Sequence, residues 1–207
     1  MNPNIELFTH SSIRITDSKQ RVFYFDPFNI RNESHDADVI FITHDHFDHF
    51  SIKDINKIVK ENTLFVIPYS LRNQIQHSIK CLKPFEKCLI DDIEVEARPA
   101  YNINKHYHLK GNEWLGYIVK IDNQTIYVVG DSDDLPENES VNVDVLMVPI
   151  GGQFTMNVNN AAHLTNSIKP KIVIPTHYGS VVGSDDLAEQ FKKLIDKSIE
   201  VRIIKQY

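Results

Sequence analysis

Thr43-His44-Asp45-His46-Phe47-Asp48-His49 decides how this chain is read. Three histidines and two carboxylates fall in the six residues from 44 to 49. The apolar run Ala37-Asp38-Val39-Ile40-Phe41-Ile42 before it reads as a buried strand, and residues 51–61 after it have helical spacing. The cluster therefore sits on a strand-to-helix loop, where a rigid scaffold can hold functional groups. Imidazole nitrogen and carboxylate oxygen bind borderline-soft cations at about 2.0–2.2 Å. His44 and His46 are two residues apart, so on extended backbone they point the same way and can grip one ion. Asp48 and His49 are adjacent and need a turn before both face a second ion. H-x-H-x-D-H is thus a two-metal pattern, with half of each site on one loop. The competing explanation is a chance histidine run, since the chain has 10 histidines in 207 residues. Four fixed positions between strand and helix signals argue against it, and the internal placement argues against a tag.

One loop cannot close two coordination shells. Tyr127-Val128-Val129-Gly130-Asp131-Ser132-Asp133 reads as a strand running into a Gly-Asp turn, so Asp131 could present one carboxylate to both ions. Ile172-Val173-Ile174-Pro175-Thr176-His177-Tyr178-Gly179 is another apolar strand ending at a histidine. Taken singly, Asp131 could be a turn aspartate and His177 a core histidine. Both lie just past a strand's C-terminal end, as the first cluster does, and that gathers all three at one edge.

These residues resemble the metallo-β-lactamase superfamily over nearly the whole chain. Residues 43–49 match its H-x-H-x-D-H motif, Gly130-Asp131 its bridging aspartate and His177 its last metal-binding histidine. Thr9-His10-Ser11-Ser12, Phe25-Asp26-Pro27-Phe28 and Gly151-Gly152 before Thr155-Met156 agree with its compact, stand-alone hydrolase branch. The resemblance implies an α+β fold, a four-layer αββα sandwich with the metals at the open edge between the sheets. It also implies that His44 and His46 hold a first ion, that Asp48, His49 and His177 hold a second, and that Asp131 bridges. One position departs from the family. Where it usually has a third histidine for the first ion, Arg98-Pro99-Ala100-Tyr101-Asn102 carries an asparagine. Either Asn102 coordinates weakly through its neutral amide oxygen, or His108 substitutes, or the first site is often empty. A weakened, partly occupied first site is the expectation, with His106 in solvent.

The implied activity is that of a metal-dependent hydrolase with two divalent ions, zinc first and manganese or iron as alternatives. Such ions lower the pKa of a shared water towards about 7, and the hydroxide attacks a carbonyl or phosphorus centre. Asp48 is the catalytic candidate, orienting the nucleophile. His10, Lys105 and Tyr178 are the candidates for substrate contact. With Asp48 and Asp131 both negative, two cations and one hydroxide leave the centre positive and a single cation leaves it negative. Full activity is therefore expected to need both ions. The fold does not choose among ester, lactone and phosphodiester; the reading leans to a small, anionic cyclic ester or phosphodiester. Two other classes stay open. One is a non-catalytic ligand-binding protein with a degraded first metal site, for which Asn102 speaks. The other is a di-iron redox protein, which in related chains needs a flavin-binding domain that this sequence does not show.

The length fits a single domain over residues 1–207. A net charge of −6 argues against a broad nucleic-acid-binding face. No apolar run approaches the roughly 20 residues of a membrane helix, and the N-terminus lacks a signal peptide's pattern. Cys81 and Cys88 make no disulfide framework and read as a reduced pair. A cytoplasmic protein acting on a small molecule is expected, without nucleic-acid or membrane partners and compatible with a homo-oligomer. Strands are predicted at 5–7, 12–16, 21–25, 38–42, 63–67, 93–97, 114–121, 124–129, 144–148 and 200–204. Helices are predicted at 51–61, at 69–76, at 159–168 with Asn159 or Asn160 as cap and Pro170 beyond, and at 184–196. The two halves look alike in this pattern, without a residue-level repeat.

Overall fold

The computed structural model describes residues 2–204. Strands β1 (Asn4–Thr9), β2 (Ser12–Thr16), β3 (Val22–Phe25), β4 (Val39–Phe41), β5 (Leu64–Pro68) and β6 (Ser78–Leu82) form one sheet in chain order. The other sheet runs from β7 (Lys87–Ile90) through β8 (Ile93–Pro99), β9 (Leu115–Ile121), β10 (Gln124–Val128), β11 (Val145–Pro149) and β12 (Ile172–Thr176) to β13 (Glu200–Val201). Each sheet begins antiparallel and turns parallel, at β3 in the first and at β10 in the second.

The period-two alternation of side chains sorts the layers. In β3, Phe23 and Phe25 point between the sheets, while Val22 and Tyr24 face the outer side. In β4, Val39 and Phe41 face inward and Ile40 outward. The inner faces of both sheets, Leu7, Phe25 and Phe41 against Val95, Tyr117 and Ile174, share one core. Helix α1 (Ile52–Ile58) covers the outer face of the first sheet through Ile55 and Ile58. Helices α2 (Val158–Ile168) and α3 (Leu187–Lys192) cover the second through Ala161, Leu164 and Phe191. Strands covered on both faces read as continuous apolar runs, which is why 37–42 and 172–176 stand out in the sequence. The layers are helix, sheet, sheet, helix, the sandwich that the sequence implies. Fully burying each inward phenylalanine contributes roughly 1.5–3 kcal/mol.

Several elements differ from expectation. Residues 69–76 form one 3-10 turn, Tyr69–Leu71, in place of a helix. Among residues 69–76, Leu71 alone is buried, so a longer helix would have no face to pack. The cap of α2 is Asn157, whose side chain accepts from the amides of Asn159 and Asn160, the two residues predicted to cap. The chain leaves α2 at Lys169, in the left-handed region, with Pro170 following. α1 and α3 are shorter than the spacing suggests, and β13 spans two residues where five were expected. β6 and β7 were not predicted. Both are edge strands, and their largely exposed residues give no clean alternation.

Candidate metal centre

The loops that follow β1, β3, β4, β8, β10, β11 and β12 bring the candidate residues to one edge of the sandwich. Three of the turns are tight enough to force left-handed backbone on residues with side chains: His10 at φ 56°, Asp26 at φ 45° and His177 at φ 58°. Such bends cost energy and gather at functional sites. Gly130 (φ 72°) solves the same problem without a side chain; a Cβ there would lie 2.9 Å from the Leu115 carbonyl oxygen. Gly151 lets β11 end against His177, whose carbonyl oxygen would be 2.3 Å from an added Cβ.

Asp131 is at the middle. Its Oδ2 is 3.0 Å from His177 Nε2, 3.2 Å from His108 Nε2 and 3.9 Å from His44 Nε2, and its Oδ1 is 3.4 Å from His49 Nε2. Two groups of donors flank it. The donor atoms of His44, His46 and His108 all lie within 4.8 Å of one another, and so do those of His10, Asp48, His49 and His177. His44 Nε2 and His46 Nδ1 are 3.1 Å apart. His10 Nε2 is 3.1 Å from Asp48 Oδ2, and the His10 and His177 rings are 3.7 Å apart between centroids.

Oxygen partners behind the imidazoles set which nitrogen faces inward. His49 Nδ1 donates to Asp26 Oδ2 at 2.7 Å. Thr43 Oγ1 donates to the same oxygen at 2.6 Å, which leaves it to accept from His44 Nδ1 at 2.9 Å. His108 Nδ1 donates to Asn102 Oδ1 at 3.0 Å. With Nδ1 occupied on all three rings, Nε2 is the atom turned towards the centre. Asn102 is thereby used up: its Oδ1 also accepts from the His108 amide at 3.1 Å, and its Nδ2 donates to the Phe154 carbonyl at 2.9 Å. His108 therefore lies beside His44 and His46, and Asn102 stands behind it.

Burial pushes the His44 and His46 imidazoles below their usual range and takes His10 down to about 4. Burial also disfavours charge on His49, but the Asp131 and Asp26 carboxylates outweigh it and raise this imidazole to about 9. Asp131 is held well below the ordinary carboxylate range against its own burial, through His177 and His49. Asp48 is lowered too, its burial overcome by the hydrogen bond from His10.

The donor set fits divalent cations. His177 Nδ1 is buried without a hydrogen-bond partner, and His49 Nε2, His108 Nε2, His177 Nε2 and Asp131 Oδ1 are buried and crowd one another without a well-aligned hydrogen bond. Each such buried group costs about 1–3 kcal/mol unless something satisfies it. Imidazole with carboxylate is the ligand chemistry of zinc, manganese and iron.

The structure places the three candidates for substrate contact as follows. Lys105 does not lean into the centre: its Nζ is 2.6 Å from Asp133 Oδ1 and 2.6 Å from the Thr155 carbonyl. Tyr178 is buried in the core under α2 and α3 with Ala188 and Phe191. His10 is fully buried within the second donor group, beside Asp48, His49 and His177. Two residues were missed. Asp26 backs both donor groups, and only its place in Phe25-Asp26-Pro27-Phe28 hinted at it. Trp114 lies over His44, His46 and His108, at ring distances of 5.0, 5.0 and 5.6 Å.

Residues 4–177 match the sequence profile of the Beta-lactamase superfamily domain, and the chain therefore belongs to the metallo-β-lactamase superfamily. A UPF0173 metal-dependent hydrolase of Pyrococcus furiosus is 32% identical, over 95% of this chain and 93% of that protein. A candidate metal-dependent hydrolase of Parabacteroides distasonis superimposes with a TM-score of 0.85 at 28% identity, over 99% of this chain and 94% of that one. CmlA, a diiron β-hydroxylase from Streptomyces venezuelae, shares the fold with a TM-score of 0.75 at 14% identity, over 99% of this chain and 53% of its own. Among the described residues no helix is long and apolar enough to cross a membrane.

Proposed function

We propose that this chain is a metal-dependent hydrolase whose centre takes two divalent cations, zinc foremost. His44, His46 and His108 would hold one, Asp48, His49 and His177 the other, with His10 beside them and Asp131 between the two. The observation that carries this reading is the set of buried imidazole nitrogens that converge on Asp131 from both sheets without well-aligned hydrogen bonds. Bound there, such cations act as Lewis acids and bring the pKa of water towards about 7.

The chain's own residues do the rest. Asp48 is fixed by the hydrogen bond from His10, so it can orient the attacking water. Asp26 and Asn102 fix the inward faces of the histidines. Trp114 shields the back of the first group. The substrate is a small ester, lactone or phosphodiester, and Cys81 and Cys88, both free thiols, fit a reducing cytoplasm.

The test is metal analysis of metal-replete protein, followed by turnover of an ester, lactone and phosphodiester panel with and without chelator. Two zinc or manganese ions per chain with chelator-sensitive hydrolysis are expected. Histidine ligands must be neutral to bind, so both metal and activity should be lost below about pH 5–6. Protein that stays metal-free under replete conditions sinks the proposal, and two irons with no hydrolysis would replace it with redox work.

A further inference from the structure

The rim of the centre carries aromatic side chains that neither the core nor the donor groups use. Phe47 lies inside the H-x-H-x-D-H loop and is 69% exposed. It meets the half-buried Phe28 edge-on at 6.0 Å between ring centroids, and Phe28 in turn lies 6.4 Å from the His10 ring. On the other side Tyr107, next to His108 and 47% exposed, meets Phe154 edge-on at 4.7 Å. The Phe154 carbonyl holds the Asn102 amide behind His108. Each donor group thus has an aromatic pair beside it, and Ile103, 55% exposed, adds to the second. Single exposed apolar residues mean little, but a cluster at the mouth of a polar centre marks a ligand surface.

The same rim is poor in cations. The loops at this edge carry Arg31, Arg72, Lys105 and Lys110, and Arg72 lies over the Tyr69 ring and donates to the Tyr69 carbonyl. Lys105 is paired with Asp133, and Lys110 is bound to the Tyr101 hydroxyl near Glu137. Arg31 lines a separate cavity with Glu6, Tyr24 and Asp36 on the outer face of the first sheet. Asp45, beside Phe47, is exposed and negative. Among the described residues, a phosphodiester or another permanent anion would find few side-chain cations at this rim beyond the charge of the centre itself.

We infer that the substrate is an uncharged carboxylic ester or lactone with apolar groups on both sides of the scissile carbonyl, one against each aromatic pair. This deepens the hydrolase reading above and rests on it, and it replaces the anionic substrate that the sequence suggests. Water adds its oxygen to the acyl carbon, and the acyl C–O bond breaks with its electron pair on the departing oxygen. That oxygen takes one of the water's protons; the acid formed releases the other and becomes a carboxylate.

The experiment uses metal-replete protein with 4-nitrophenyl acetate, butyrate and hexanoate, and with bis(4-nitrophenyl) phosphate as an anion bearing the same aromatic group. KM is expected to fall about threefold per added methylene. The hexanoate should exceed the phosphodiester in kcat/KM by at least a hundredfold. Phe47→Ala and Tyr107→Ala alter exposed side chains and should flatten the chain-length trend, with near-UV circular dichroism and metal content unchanged. In parallel, calorimetry should show the ketone hexanophenone binding at least tenfold more tightly than diphenyl phosphate, a readout independent of turnover. Chelator-sensitive hydrolysis that favours the phosphodiester, or a KM indifferent to chain length, overturns the inference and leaves the hydrolase reading standing. Equal or weaker binding of the ketone overturns it even if no substrate turns over. If Phe47→Ala splits an assembly and leaves the trend intact, the aromatics join copies of the chain and the inference is wrong. Failure of the protein to take up metal sinks the hydrolase reading instead.

Discussion

In the first sheet, one loop between β4 and α1 carries His44, His46, Asp48 and His49, backed from the end of β3 by the carboxylate of Asp26. In the second sheet, His108, Asp131 and His177 arrive on three separate loops, and the backing group is the neutral amide of Asn102. The first half presents a preset, charged grip, whereas the second becomes a site only once its strands have paired. A charged acceptor behind an imidazole raises its basicity more than an amide does, so the first half should dominate metal affinity and the second should close the centre.

Asp131→Asn tests that closure and should have the largest effect. It keeps the shape and removes the charge between the donor groups, so kcat/KM should fall at least about a thousandfold, with less than two metals per chain. A fully loaded, active variant would break the comparison. Asp26→Asn comes next, and metal affinity should drop up to about a hundredfold, measured by competition with a chromophoric chelator. Asn102→Ala should cost only about tenfold, because a neutral acceptor is lost. If the two losses are equal, charged and neutral backing do not differ.

The smallest effect concerns the anchoring of the first half. Asp54 in α1 accepts from the amides of Asn29 and Ile30, from Ser51 Oγ and from Lys57 Nζ, so it ties the loop after β3 to the helix. These donors, Lys57 first, hold its carboxyl below the usual value despite burial. A depressed carboxylate stabilises the fold above its unfolded pKa of about 3.9, and that contribution is lost as pH falls through the folded value. Asp54→Asn should therefore cost about 1 kcal/mol at pH 7. The gap in urea midpoint should narrow below about pH 4. A gap that is constant down to pH 2 would show that the charge contributes nothing.

The same contrast explains what the sequence reveals. The first half is legible because its donors sit at short, fixed spacing after an apolar strand. Asp131 and His177 are legible only by their position at strand ends. For the third ligand of the first group the sequence leaves Asn102, His108 and an often empty site open, with a weakened site as the expectation. The loop after β8 folds back on itself, with the Asn102 amide bonded to the His108 carbonyl at 2.7 Å, and such an irregular fold-back leaves no periodic trace. The role of Asp26 is hidden because its partners are 17 and 23 positions away. The sandwich is legible wherever strands are buried on both faces, and it is illegible at the edges β6 and β7, where packing imposes no pattern.

The left-handed bends at His10, Asp26 and His177 set two demands against each other. Glycine would adopt those conformations more easily, so a glycine at any of the three would relieve backbone strain and at the same time remove the contacts that side chain makes at the centre. Chain stability and donor geometry therefore pull in opposite directions at the same three positions.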